Sequence, residues 1–133
     1  MIPGFDQHGY LPPGVHRATL DEIDQRFGTR SELRRAQVES IRWIVETAKK
    51  AGVKRIILDG SFTTDLAEPN DVDCLLLIDE RFPIDRPAER ELREGLPFLD
   101  IELADQPTFD FYVERMYATD RSSLPKGMIE VIS

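Results

Sequence analysis

At 133 residues, with a composition 41% hydrophobic and 32% charged, the chain has the size and balance of one water-soluble α+β domain with a modest core. Seventeen Lys and Arg against 25 Asp and Glu give a formal charge of −8, which argues against a long nucleic acid as partner and leaves a short RNA acceptor open. No run approaches the roughly eighteen apolar residues of a membrane span, and Met1-Ile2-Pro3-Gly4 lacks the basic and apolar regions of a signal peptide, so no membrane association and a cytoplasmic location are expected. A single cysteine, Cys74, rules out a disulfide framework within the chain, and zinc-ligand spacing is absent.

The whole chain, 1–133, reads as one domain with an extended arm over 1–18, a helical part over 19–50 and a strand-rich core over 53–133. Pro3, Gly4, Gly9, Pro12, Pro13 and Gly14 punctuate the arm, while Ile2, Phe5, Tyr10, Leu11 and Val15 anchor it. Its two histidines, His8 and His16, suit surface or packing roles. Thr19 and Glu22 have capping-box spacing for a short helix that Gly28 ends. Thr29 and Glu32 repeat the spacing, predicting a helix from about residue 30 to 50 that Gly52 closes. Leu33, Ile41, Ile44, Val45 and Ala48 share its apolar face, which assigns Arg34 and Arg35 to the solvated side.

From Val53 the period shortens. Val53–Leu58 and Val72–Ile78 read as central strands, the second apolar enough to be buried on both faces. A helix follows over 86–95, a strand over Phe98–Leu103, a helix over 107–118 and a last strand over Met128–Ile132. The expected architecture is therefore a mixed sheet of about four strands backed by helices.

The chemistry concentrates where Leu58-Asp59-Gly60-Ser61 is followed, after the nine residues 62–70, by Asp71-Val72-Asp73-Cys74. Residues two apart on a strand share a face, so Asp71 and Asp73 project together at the start of the second strand. Adjacent carboxylates call for a cation, and hard oxygen ligands suit Mg²⁺ or Mn²⁺. Gly60 permits a sharp turn, and Ser61 begins a short helix whose amides can receive a phosphate. Asp100, on the neighbouring strand, supplies a third carboxylate and a candidate base for an acceptor hydroxyl; Glu102, on the same face, and Asp110 compete for that place. Lys126, before Gly127, reads first as a solvated turn lysine and second as a phosphate contact. Phe62, Trp43, Tyr112, Met116 and Tyr117 fit core and helix packing.

Gly60-Ser61, the pair Asp71 and Asp73, and the apolar-flanked Asp100 together resemble the signature of the DNA polymerase β-like nucleotidyltransferases, in particular the minimal single-domain members, over roughly residues 52–104. The whole chain, through Leu11-Pro12-Pro13-Gly14-Val15-His16 and Lys126-Gly127, also resembles a small bacterial nucleotidyltransferase-like family. The resemblance implies a nucleotidyltransferase-like fold, transfer of a nucleoside monophosphate from an NTP to a hydroxyl, Ser61 against the terminal phosphates, and Asp71, Asp73 and Asp100 as catalytic residues holding two Mg²⁺ or Mn²⁺ ions. Many minimal members carry Arg and Gly between the motifs, whereas Phe62–Asn70 has neither and contains Asp65 and Glu68. That departure, the small size and the arm motivate an alternative in which the fold acts by binding a protein partner or a second copy, as an antitoxin or regulatory subunit. A carboxylate-metal phosphohydrolase or glycosyltransferase is a third reading; it leaves Gly60-Ser61 without a role.

Overall fold

The computed structural model describes residues 1–132. The first helix, α1 (Leu20–Phe27), begins at the expected capping box: Thr19 Oγ1 accepts from the Glu22 N–H and Glu22 Oε1 accepts from the Thr19 N–H. The second, α2 (Glu32–Ala51), is capped by the Ser31 hydroxyl and not by Thr29, whose own hydroxyl is turned back to the Gln25 carbonyl. Gly52 ends it with φ 95°, a left-handed backbone that presents its N–H to the Ala48 and Lys49 carbonyls.

Among the described residues five strands, not four, form one mixed sheet in the order β1-β5-β2-β3-β4. They are β1 (Gly14–Ala18), β2 (Arg55–Asp59), β3 (Val72–Leu77), β4 (Leu99–Ala104) and β5 (Gly127–Val131). The additional strand is the end of the expected arm: Gly14–Ala18 runs parallel to β5 at the sheet edge, where only Ala18 is buried, so no apolar alternation marks it. β5 and β2 are antiparallel, as are β2 and β3, while β3 and β4 are parallel. Helices α3 (Arg86–Glu94) and α4 (Gln106–Phe111) complete the elements, and a π-helical turn, Tyr112–Met116, continues α4.

Both sheet faces are covered, which is why the central strands are apolar at successive positions. Ile56, Leu58, Cys74, Leu76 and Ile129 join α1, α2 and α3 in the larger core. On the opposite face Ile57, Leu75, Leu77 and Met128 pack with Phe109 of α4, and Tyr112 and Tyr117 border them. Residues 1–13 lie against the domain as expected. Ile2 and Phe5 join the larger core, and Arg26 donates to the Ile2 and Pro3 carbonyls while its guanidinium lies 4.5 Å from the Phe5 ring centroid. No helix among the described residues is long and apolar enough to cross a membrane.

Candidate functional site

Strand register brings three carboxylates into one row. Asp59, the last residue of β2, is the pairing partner of Asp73 on β3, and Asp73 is the partner of Asp100 on β4. Directly opposed residues point to the same face, so the row crosses three adjacent strands at one end of the sheet. Asp71 stands one residue ahead of β3 and is exposed, as is Asp100; Asp73 is half-buried and Asp59 is 2% exposed. Among the described residues no group of three or more His, Cys, Asp or Glu side chains is gathered as a metal-holding cluster.

Gly60 turns the chain over this row. With φ 85° it adopts a backbone that L residues avoid, and an added Cβ would lie 2.9 Å from Asp73 Oδ2. Ser61 opens a short 3₁₀ turn, Ser61–Thr63, without capping it; its hydroxyl instead accepts from the Asn70 N–H at 3.1 Å and closes the loop onto β3. Phe62 is fully buried, the anchor expected of it.

The loop between the motifs has no cation of its own, yet one holds it from below. Arg34 is 0% exposed, which corrects its assignment to the solvated face of α2. Its Nε donates to the Leu66 carbonyl, one terminal nitrogen to Phe27 and Phe62, and the other to Thr64 and Leu66. All five guanidinium N–H groups are thus used on backbone carbonyls with no carboxylate partner. Burial in this setting pulls the Arg34 pKa down to about 10.

Lys126 is the second cation at the site, outside the Gly60-Ser61 and Asp71/Asp73 motifs. Its ammonium lies 2.5 Å from Asp59 Oδ2 and 5.8 Å from the centroid of the Tyr117 ring, with only 13% of the side chain exposed. That burial corrects the solvated turn lysine, while as a phosphate contact Lys126 would meet the cavity already paired with Asp59. Asp59 Oδ1 is buried without a hydrogen-bond partner, and burial pushes the Asp59 carboxyl up to about 6 against the opposing pull of Lys126. The Asp73 carboxyl is also raised, chiefly by burial and then by Asp100. This row is under-neutralised, the chemical setting in which a hard divalent cation fits a set of carboxylate oxygens.

A cavity of about 620 Å³ opens onto Asp59, Gly60, Ser61, Asp73 and Lys126. Its lining also includes Tyr10, Leu66, Met116, Tyr117 and Arg121. Tyr10 reaches this lining because the arm pairs with the loop at Thr64, and its hydroxyl donates to Asp120 Oδ2 at 2.6 Å. Met116, the last residue of the π-helical turn, is exposed on the cavity wall and does not pack in the core, whereas Tyr117 both borders the smaller core, as expected, and faces the cavity.

Of the residues singled out by the motifs, Gly60, Ser61 and Asp73 line the cavity and Asp100 adjoins Asp73 by register; Asp71 lies beside the Gly60 turn, where its carbonyl would be 3.3 Å from a Gly60 Cβ. The competing carboxylates are engaged elsewhere: Glu102 accepts from the Tyr112 hydroxyl and Asp110 from Gln106. His8 borders the cavity, whereas His16 bonds the Pro12 carbonyl through Nε2. Asp59 carried a signal that could have found it, an ionisable residue ending an apolar run buried on both faces, where a charge requires a partner.

No curated protein and no solved structure matches the chain. Residues 3–132 match the model of the group described as "Family of unknown function (DUF6932)". With nearly its full length matched, the chain belongs to the DUF6932 family.

Proposed function

We propose that the chain is a nucleotidyltransferase-like protein that binds an NTP with Mg²⁺ or Mn²⁺ and transfers its nucleoside monophosphate to an acceptor hydroxyl. The observation that carries this reading is Asp73 in register with Asp100 on parallel strands, with the Gly60-Ser61 turn packed on the Asp73 carboxylate beside the cavity. Asp71, Asp73 and Asp100 would hold the cation, which supplies charge neutralisation at the phosphates. The Gly60-Ser61 backbone receives the terminal phosphates, and Tyr117, Leu66 and Met116 give the base an apolar wall. Asp100, exposed at the end of the row, takes the proton of the acceptor hydroxyl as its oxygen bonds the α-phosphorus and the bond to pyrophosphate breaks.

A second reading keeps the fold and drops the catalysis: a protein that works by binding a partner chain or a second copy, as an antitoxin or regulatory subunit. One observation favours it. Lys126 is already held by Asp59, and the loop over 62–70 offers Asp65 and Glu68 where a triphosphate would need cations. Calorimetry with nonhydrolysable ATP, GTP, CTP and UTP in Mg²⁺, together with label transfer from α-labelled NTPs, separates the two. Binding plus transfer that falls at least tenfold in Asp73→Asn supports the enzyme. Equal transfer in wild type and variant removes the catalytic assignment, and nucleotide binding without transfer, with a stoichiometric protein partner recovered, supports the second reading.

A further inference from the structure

β4 ends the sheet on the side opposite β1 and pairs only with β3 among the described residues. The Val72 N–H donates to the Phe98 carbonyl at 2.7 Å and the Ile78 N–H to the Ala104 carbonyl at 2.9 Å, so the even-numbered residues turn their backbone groups toward β3. Leu99, Ile101 and Leu103 therefore turn theirs outward. The Leu99 N–H is taken by the Leu96 carbonyl, while the Leu99 carbonyl and both backbone groups of Ile101 and of Leu103 have no partner among the described residues. Such a row is a template for a further strand. A groove of about 410 Å³ joins this edge to the end of α3, with Leu92, Leu96, Leu99, Ile101 and Leu103 as its apolar lining. The opposite face of the strand is acidic: Asp100 and Glu102 are exposed, and among the described residues Asp100 has no hydrogen-bond partner and Glu102 has only the Tyr112 hydroxyl.

We infer that the free edge of β4 binds an extended segment of a partner protein, in which apolar residues alternate with Lys or Arg, as an added strand of the sheet. The outward N–H and C=O groups of Ile101 and Leu103 hold its main chain. Its side chains then divide with a period of two, the apolar set entering the groove over Leu96 and Ile101 and the basic set lying beside Asp100 and Glu102. Charge selects this occupant over a second copy. Antiparallel pairing of β4 with β4 keeps outward-facing residues opposite one another, which sets Asp100 and Glu102 against each other or against themselves, and like charges directly opposite are destabilising. The formal charge of −8 on each chain adds to that repulsion and favours a basic segment. The inference rests on the partner-binding reading and gives it a surface and a partner chemistry; the nucleotidyltransferase reading does not depend on it.

The test is fluorescence anisotropy of the full chain, without nucleotide or divalent ion, against a labelled octapeptide alternating Val with Lys or Arg. Two control peptides accompany it: one with Glu in place of every Lys and Arg, and one with the same residues in blocks, which keeps the charge and loses the alternation. The alternating basic peptide is expected to bind at least about tenfold more tightly than either control, and to slow hydrogen exchange at the Ile101 and Leu103 amides. Glu102→Lys and Leu96→Ser, both at exposed positions, should each weaken it by about tenfold, whereas Asp21→Lys, on α1, should leave it unchanged. Equal binding of the basic and block peptides, unchanged exchange at the Ile101 and Leu103 amides, or unweakened binding to both groove variants overturns the inference. A dimer of the free chain that the peptide does not dissociate overturns it in favour of a second copy. If no peptide binds, while a stoichiometric protein partner is retained equally by wild type, Glu102→Lys and Leu96→Ser, the inference falls and the partner-binding reading stands.

Discussion

Replacing Arg34 by Met, a side chain of comparable length without charge, should destabilise the protein by several kcal/mol although no ion pair is broken. Four carbonyls, of Phe27, Phe62, Thr64 and Leu66, lose their guanidinium donors. At about 1–3 kcal/mol for each buried acceptor left unmet, the loss is about 4–12 kcal/mol. The charge is also relieved of its burial. The descent of the Arg34 pKa from 12.5 to about 10 corresponds to about 3 kcal/mol, which offsets part of the loss. The net expectation is about 1–9 kcal/mol, centred near about 5 kcal/mol, a large share of a typical stability of about 5–15 kcal/mol. Thermal and urea unfolding followed by circular dichroism measure it directly, and for a chain of this size a melting temperature lower by about 10–20 °C is expected. Arg35→Met, at the exposed neighbouring position, serves as the control and should stay within about 0.5 kcal/mol of wild type. Limited proteolysis should show new cleavage within 62–70 for the Arg34 variant alone. A melting temperature within about 3 °C of wild type would refute the claim that these carbonyls depend on the guanidinium.

Three further outcomes follow from the same geometry. Gly60→Ala should cost about 1–3 kcal/mol in unfolding experiments, since it forces a left-handed backbone and drives a methyl to 2.9 Å from Asp73 Oδ2, and it should weaken Mn²⁺ binding at least tenfold in titration. Asp59, an acid with its folded pKa raised from 3.8 to about 6, binds its proton more tightly folded than unfolded. Its contribution to stability therefore falls as pH rises from about 4 to about 6, by about 3 kcal/mol in all, and Asp59→Asn should remove that slope when urea unfolding of the two proteins is compared across this window. Tyr10→Phe deletes the hydroxyl that donates to Asp120 Oδ2 at 2.6 Å and should cost about 1 kcal/mol, with faster amide hydrogen exchange over residues 6–12 as the specific readout.

What could be read in the sequence was whatever local pattern determines. β2, β3 and β4 were legible because both sheet faces are covered and the strands are apolar at successive positions, and α1 because Thr19 and Glu22 cap it reciprocally. β1 was not, since at the sheet edge Gly14–Ala18 buries only Ala18 and its pairing with β5 spans more than a hundred residues of chain. Arg34 was misread for a related reason: an arginine on a helix usually faces water, and the carbonyls that hold it inside belong mostly to a loop about thirty residues away. Gly60, Ser61, Asp73 and Asp100 were found by spacing and parity. Lys126 was singled out only as a turn lysine or phosphate contact, and its pairing with Asp59 was not legible, because the contact joins the end of β2 to the turn before β5.

Arg34 and Lys126 bear on the loop that departs from the minimal nucleotidyltransferase pattern. A loop without Arg or Lys is ill-suited to anions only if charge must come from within it, whereas here Arg34 meets the loop's carbonyls from beneath and Lys126 meets the carboxylate row from the turn before β5. Their tasks differ: Arg34 donates to Phe62, Thr64 and Leu66 and so fixes the loop's path, while Lys126 neutralises Asp59 and leaves Asp73 and Asp100 to any added ion. Arg34 has no N–H left for a triphosphate and Lys126 is paired with Asp59, so of the cations at the cavity Arg121 alone is exposed, and much of the charge needed to hold a triphosphate must come with a divalent ion. Nucleotide affinity should then depend on that ion far more steeply than on ionic strength, the reverse of a site that binds phosphates through exposed lysines and arginines.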